Sequence, residues 1–273
     1  MIRSNLRLAA APVLLLALAG GSGTCHRSAD DTAQQAPAAP PPLPGALPGT
    51  LPMGDPAGLA PPVTALPLRE PIRLGRLPRA EDRYAYLDRA WWLDDAMADA
   101  PPDYAFDYDG VSPWGWDYPE GGRVLVEPVA GGYRSYYYAP GADTPFYVRD
   151  PGYGYAFDGA TLVGLYSARG EPLEIVPETA PVGYAARYRS RGRDLYRADA
   201  APRRIAVTTP AWTDTLAAYA GHRRVWHEDV ARNPPWRAWH ESHLAQAQAV
   251  WQPRRAAREA AAPRPAPPPR PRP

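Results

Sequence analysis

Arg123-Val-Leu-Val-Glu-Pro-Val-Ala-Gly-Gly-Tyr-Arg-Ser-Tyr-Tyr-Tyr138 reads as two strands around a tight turn. The branched run Val124–Val129 meets Gly131-Gly132, and the aromatic run Tyr133–Ala139 follows. Branched and aromatic side chains fit a pleated surface, and glycine supplies the positive φ that a hairpin turn needs. The same grammar extends upstream. Tyr104–Tyr108 precedes Asp109-Gly110, and Trp114–Tyr118 precedes Glu120-Gly121-Gly122. Downstream, Phe146–Arg149 leads into Asp150-Pro151-Gly152 and Tyr153–Phe157 into Asp158-Gly159. Leu162–Ser167 runs to Arg169-Gly170, and Leu173–Val176 closes the series. Turns at roughly ten-residue spacing imply sequential hairpins. The expected fold class is α+β: a Tyr/Trp-rich antiparallel β-meander, as a single sheet or an open barrel, with flanking helices and disordered Pro-rich ends.

Helical periodicity brackets the strands. Tyr86, Ala90, Leu93 and Met97 recur at helical spacing between Ala80 and Ala98, and Pro101-Pro102 ends that pattern. After Pro177, a helix over Pro181–Ala198 places Tyr184, Tyr188 and Leu195 together, with Gly192 weakening it. Thr209-Pro210 is a helix start that carries Trp212, Leu216, Tyr219 and Trp226. Asn233-Pro234 repeats the start signal for a last helix through Trp251, with Pro253 as its stop.

The ends differ in kind. Arg3 and Arg7 precede the apolar run Leu8–Ala19, and small residues follow it, the layout of a secretory signal. The run is short of the ~20 residues a bilayer span needs. Two processing outcomes compete. Ala17-Leu18-Ala19 fits ordinary cleavage, while Cys25, the sole cysteine, sits where a lipoprotein would be lipidated. The stretch Leu18–Cys25 resembles a lipoprotein signal, although Ser22 and Thr24 stand where that signal usually has Leu and Gly or Ala. One cysteine makes no internal disulfide, so packing alone must hold the fold. The expected organisation is a signal peptide over 1–25, a Pro-rich disordered linker over 26–79, and a helix-plus-antiparallel-β domain over 80–178. An Arg-rich helical region over 179–252 and a Pro/Arg-rich disordered tail over 253–273 complete it. The linker segment holds 13 of the 37 prolines, and polyproline-like chain of that length reaches roughly 150 Å.

Composition narrows the chemistry. All 30 basic residues are arginine, which excludes Schiff-base and P-loop lysines. Tyr (17) and Trp (9) far exceed Phe (3), so most rings carry a polar tip that wants a partner. Net charge is +1, but residues 81–179 carry 6 Arg against 18 acids (−12) and residues 180–273 carry 17 Arg against 7 acids (+10), with +3 over residues 1–80. Either the acidic and basic blocks attract each other within the fold, or the basic block meets an anionic surface.

No Gly-x-Ser-x-Gly, P-loop, GxGxxG, CxxC or HExxH motif occurs after the leader. His240 and His243, at i and i+3 beside Glu241, have metal-ligand spacing without an assignable third ligand. Asp94, Asp95, Asp99, Asp103, Asp107 and Asp109 form an acidic stretch in which Asp107-Tyr-Asp-Gly110 is half a calcium loop. The same carboxylates have the chemistry of a glycosidase pair. The ring residues are the main binding candidates. Alternation puts Trp114 and Trp116 on one face, and Tyr136 and Tyr138 on one face with Tyr137 opposite. Exposed, these rings would stack on sugars or peptides; covered, they are core.

The run Tyr104-Ala-Phe-Asp-Tyr-Asp-Gly-Val-Ser-Pro-Trp114, with Tyr136-Tyr-Tyr-Ala-Pro-Gly-Ala-Asp143 and Phe146-Tyr-Val-Arg-Asp-Pro151, resembles uncharacterised exported proteins of alphaproteobacteria over residues 80–250. The resemblance implies export and brings no known activity or site residue. The expected function is a non-enzymatic cell-envelope protein, a tethered binding or structural module using its aromatic sheet face. An unrecognised envelope hydrolase or metal-binding enzyme is the alternative. The expected location is periplasmic or outer-membrane-associated, with a lipid anchor at Cys25. The expected partners are the membrane and a glycan or envelope protein, with no cofactor and no nucleic acid.

Overall fold

The computed structural model describes residues 58–119, 121–199, 203–207 and 209–261. The eight expected strands form as β2 (Tyr104–Phe106), β3 (Trp114–Asp117), β4 (Arg123–Val129), β5 (Gly132–Tyr138), β6 (Pro145–Arg149), β7 (Tyr153–Asp158), β8 (Thr161–Ser167) and β9 (Pro172–Leu173). They lie side by side in chain order from β2 to β8, all antiparallel, with β9 folded back on β8. Two further strands flank the meander. β1 (Arg73–Leu74) pairs parallel with β8, and β10 (Arg204–Ile205) pairs with β2. β1 and β10 lie at opposite ends of the strand order, so the sheet is open.

Turn chemistry sets the register. Val129 stands opposite Gly132 and Arg123 opposite Tyr138, so a two-residue loop joins β4 to β5, with Gly131 at φ +84°. Asp109 and Gly110, at φ +58° and +76°, form the primed turn that a right-twisted ribbon favours. Alternation then sends Trp114, Trp116, Val124, Val126, Tyr137 and Tyr147 to one face. Leu125, Tyr136, Tyr138, Val148 and Tyr155 go to the other.

Helices cover both faces. α1 (Arg83–Ala96), α3 (Thr209–Ala231) and α4 (Pro234–Ala261) supply Leu87, Leu93, Tyr219, Trp226 and Trp236 to the first core. α2 (Ala180–Ala198) supplies Val182, Ala185, Tyr188 and Leu195 to the second. The unbroken runs Val124-Leu-Val126 and Tyr136-Tyr-Tyr138 follow from this sandwich, since a strand buried on both faces need not alternate with polar residues. Gly192, a weak helix former, has a positional reason. The Tyr138 hydroxyl donates to its carbonyl at 2.7 Å, and an added Cβ would lie 2.7 Å from Pro145 Cγ. Only glycine lets α2 approach the sheet so closely.

Three sequence expectations need correction. Composition predicts a disordered linker to residue 79, yet residues from Gly58 onward join the fold. Ala60 N–H donates to the Pro128 carbonyl at 2.8 Å, and Leu66 is 1% exposed. Arg187 binds the Leu66 carbonyl, and Glu70 holds Arg189 and Arg193 at 2.9 Å each. A few anchors of this kind are invisible in average composition. Pro253 predicts the start of the tail, but α4 continues through it to Ala261. The pairs Arg255–Asp95 at 2.5 Å and Arg258–Asp103 at 2.9 Å hold the far side and offset the lost helix bond. Finally, residue 179 is no boundary, because the helices beyond it bury the sheet before it.

The substitution Leu66→Ala separates an anchored segment from a linker. Loss of a fully buried leucine lowers unfolding free energy by about 2–5 kcal/mol, measured by urea denaturation, whereas a free linker would leave the midpoint unchanged.

Candidate functional site

The four rings expected to form a recognition face are core. Trp114 is 8% exposed, Trp116 1%, and Tyr136 and Tyr138 are 0%. Trp116 stacks on Tyr219 at 5.6 Å, and its indole N–H donates to the Ala100 carbonyl. Trp114 meets Trp212 edge-on at 5.3 Å. The Tyr136 hydroxyl donates to Glu127 Oε2 at 2.9 Å, and that of Tyr138 to Gly192. The reading of these rings as an exposed platform is therefore corrected: α2 covers one set and α3 the other. The face assignment holds, with Tyr137 pointing opposite to its neighbours and sharing the Trp114 side.

Polar tips on buried rings require buried acceptors, and the chain supplies carboxylates. Asp94, from α1, is fully buried. Its Oδ2 accepts from Arg223 Nε at 2.8 Å and lies 2.8 Å from His227 Nε2, while Oδ1 accepts from the Tyr137 hydroxyl at 2.9 Å. Arg223 also donates to the Asp94 and Ala98 carbonyls. Burial alone would push the Asp94 carboxyl up. The Arg223 guanidinium and the His227 hydrogen bond outweigh burial and hold it well below the usual carboxylate range. On the opposite face, Glu127 receives Arg191 Nη2 at 2.6 Å as well as Tyr136. At the β10 edge, Asp199 receives Arg123, Arg204 and the Tyr104 hydroxyl.

The histidines do not converge. His240 Nδ1 lies 2.6 Å from Asp88 Oδ1, with the ring stacked between Trp92 and Trp236 at 5.1 and 4.5 Å. His243 stacks on Trp239 at the surface instead. The acidic stretch is likewise dispersed into pairs: Asp94 with Arg223, Asp95 with Arg255, Asp103 with Arg258, and Asp109 with Arg191. Among the described residues no three His, Cys, Asp or Glu side chains are placed to hold a metal ion. Sequence reasoning missed Asp94, Glu127 and Asp199 as hubs. The signal lay in tyrosines outnumbering phenylalanines, since each buried hydroxyl needs an acceptor.

Among the clefts at the surface, two bear on function. One, about 390 Å³, lies between α1, α3 and α4 and is lined by Asp95, Asp99, Arg223, Arg224, His227 and Arg255 among others. The other, about 540 Å³, follows the outer edge of β8. β1 pairs with β8 at Thr161 and Leu162, and β9 at Leu165 and Tyr166, so Val163 and Gly164 between them have no strand partner on that side among the described residues. Leu77, Leu173 and Ile175 wall this edge cleft, and Arg76, Arg79 and Arg83 line it together with one acid, Glu174. Leu74, Leu173 and Val176, each about two-fifths exposed (41%, 39% and 44%), lie at this same edge or in the chain just after β9.

Comparison with known proteins gives no neighbour: no family model, no curated protein and no solved structure matches the chain. Among the described residues no helix is long and apolar enough to cross a membrane. The leader and Cys25 lie outside the described residues.

Asp94→Asn keeps the shape and removes the charge that answers Arg223. At pH 7 the variant should lose about 3–5 kcal/mol of unfolding free energy, the effect of leaving a buried charge uncompensated. Because the folded carboxyl binds its proton less readily than the unfolded one, this contribution is complete above pH ~4 and fades as pH falls further. Urea unfolding at a series of pH values should therefore show the gap between wild type and variant narrowing only below pH ~4.

Proposed function

We propose that this chain is a non-enzymatic envelope protein, carried out by its leader, tethered at Cys25, and binding an extended acidic peptide segment of an envelope partner along β8. The unpartnered edge at Val163-Gly164, set in an arginine-lined cleft, is the observation that carries this reading. Free strand edges pair with extended chains through main-chain hydrogen bonds, while flanking pockets select side chains. Leu77, Leu173 and Ile175 suit alternate apolar side chains, and Arg76 suits a carboxylate. Both sheet faces are sealed, so the edge is where the sheet meets solvent. A stacked glycan fits less well, because the aromatic residue lining this cleft, Tyr166, is fully buried.

Fluorescence anisotropy on the mature full-length chain with a labelled Val-Glu-Val-Glu-Val peptide tests the proposal. Binding should weaken at least about fivefold in Arg76→Glu, the worth of about 1 kcal/mol in a peripheral ion pair. Equal affinities for wild type and variant would remove the edge cleft from consideration. Mass spectrometry of the mature amino terminus reads the tether: a lipid-modified Cys25 supports it, whereas a start at Gly20 contradicts it.

A second reading rests on one observation. Asp94 orients His227 from behind, and the His227 ring lines the polar cleft. Such a pair is the core of an acid–base site. Turnover of nitrophenyl acetate or nitrophenyl phosphate that disappears in His227→Ala would favour an envelope hydrolase; equal background in both forms is the expected result.

A further inference from the structure

Beneath α3 the buried charges of the described residues do not balance. Asp94 is the carboxylate that faces both Arg223 and Arg149. Its oxygens are already occupied by Arg223, His227 and Tyr137. Arg149 Nη2 stands 3.7 Å from Oδ1, beyond hydrogen-bond range. Arg149 is 3% exposed, its guanidinium lies over the Trp226 ring at 4.3 Å and beside the Tyr137 hydroxyl, and its Nε and Nη2 are buried without hydrogen-bond partners among the described residues.

The neighbouring polar atoms share this condition. Ser135 stands directly opposite Arg149 across the β5–β6 ladder, and its hydroxyl is buried and unpartnered. The Tyr219 hydroxyl and His222 Nε2, one turn apart on α3, are buried and unpartnered as well. Both of those rings contact Tyr133, at 5.0 and 5.5 Å. Buried polar atoms in folded proteins nearly always have partners, and an unanswered buried charge is the costliest exception. Here the unanswered atoms belong to one neighbourhood and are rich in donors: a guanidinium has no acceptor, and hydroxyl and imidazole groups can turn a hydrogen toward a common point.

We propose that Arg149, Ser135, Tyr219 and His222 bind a small inorganic anion of the halide class, held between β5, β6 and α3. With the anion present, two negative charges (Asp94 and the ion) answer two guanidiniums (Arg149 and Arg223). A water molecule would satisfy hydrogen bonds and leave the charge unanswered. His222 does not alter the count at neutral pH, because burial, with the nearby Arg149, lowers its pKa to about 4.

Refolding the full chain in sodium bromide, crystallising it and collecting anomalous diffraction at the bromine edge locates such an ion directly. The expected result is a peak within hydrogen-bond reach of Arg149 Nε and Ser135 Oγ. Water density alone at that place would overturn the proposal. In solution, the thermal midpoint should rise with chloride when gluconate replaces it at constant ionic strength. Arg149→Met should abolish the dependence, and the exposed control Arg224→Met should keep it. Should Arg149→Met fail to fold, Ser135→Ala should show a weakened dependence. Identical midpoints in chloride and gluconate would refute the site.

Discussion

A charge removed from water must be answered inside the protein, and Asp94 is where this fold meets that demand most fully. One carboxylate on α1 gathers Arg223 and His227 from α3 and Tyr137 from β5. Buried ion pairs are not strong net stabilisers, since desolvation consumes much of their attraction. Their power is over alternatives: any register or helix placement that separates Asp94 from Arg223 leaves two charges stranded in apolar surroundings. Glu127 does the same on the opposite face, joining β4 to α2 through Arg191. Asp199 does so at the sheet's end, joining α2 to β4 and β10 through Arg123 and Arg204. These three hubs tie α1 to α3, α2 to β4, and the end of α2 to β4 and β10.

The tyrosine-rich composition belongs to the same design. A phenylalanine in place of Tyr136, Tyr137 or Tyr138 would fill the same space but leave Glu127, Asp94 and the Gly192 carbonyl with fewer donors. The rings are core material whose tips reach the hubs. Helices on both faces then leave the sheet's edges as its contact with solvent, which moves attention from the broad aromatic surface to the short open stretch of β8.

Much of this was legible in the sequence. Every strand of the meander appeared between its turn residues, because Asp109-Gly110 and the left-handed glycine at 131 fix hairpins by local geometry alone. Of the two readings of the oppositely charged halves, attraction within the fold is seen in three pairs: Asp94 with Arg223, Asp103 with Arg258 and Asp95 with Arg255. What stayed hidden depends on distant partners. β1 and β10 are two residues each and exist only against β8 and β2. Leu66 is an anchor only because a groove awaits it, and Pro253 is tolerated because arginines beyond it are held. Whether Trp114, Trp116, Tyr136 and Tyr138 are platform or core turns on what covers them, and periodicity assigns a face without saying what lies above it.

The ionisation of Asp94 is the point on which this account stands. Carbon-13 NMR of the side-chain carboxyl in protein labelled at aspartate, followed from pH 7 downward, reads it without any substitution. The expected trace is flat for Asp94 while surface aspartates titrate near pH ~4. A midpoint for Asp94 at or above theirs would show a carboxyl that its arginine does not hold, and the hub would not be what organises the fold.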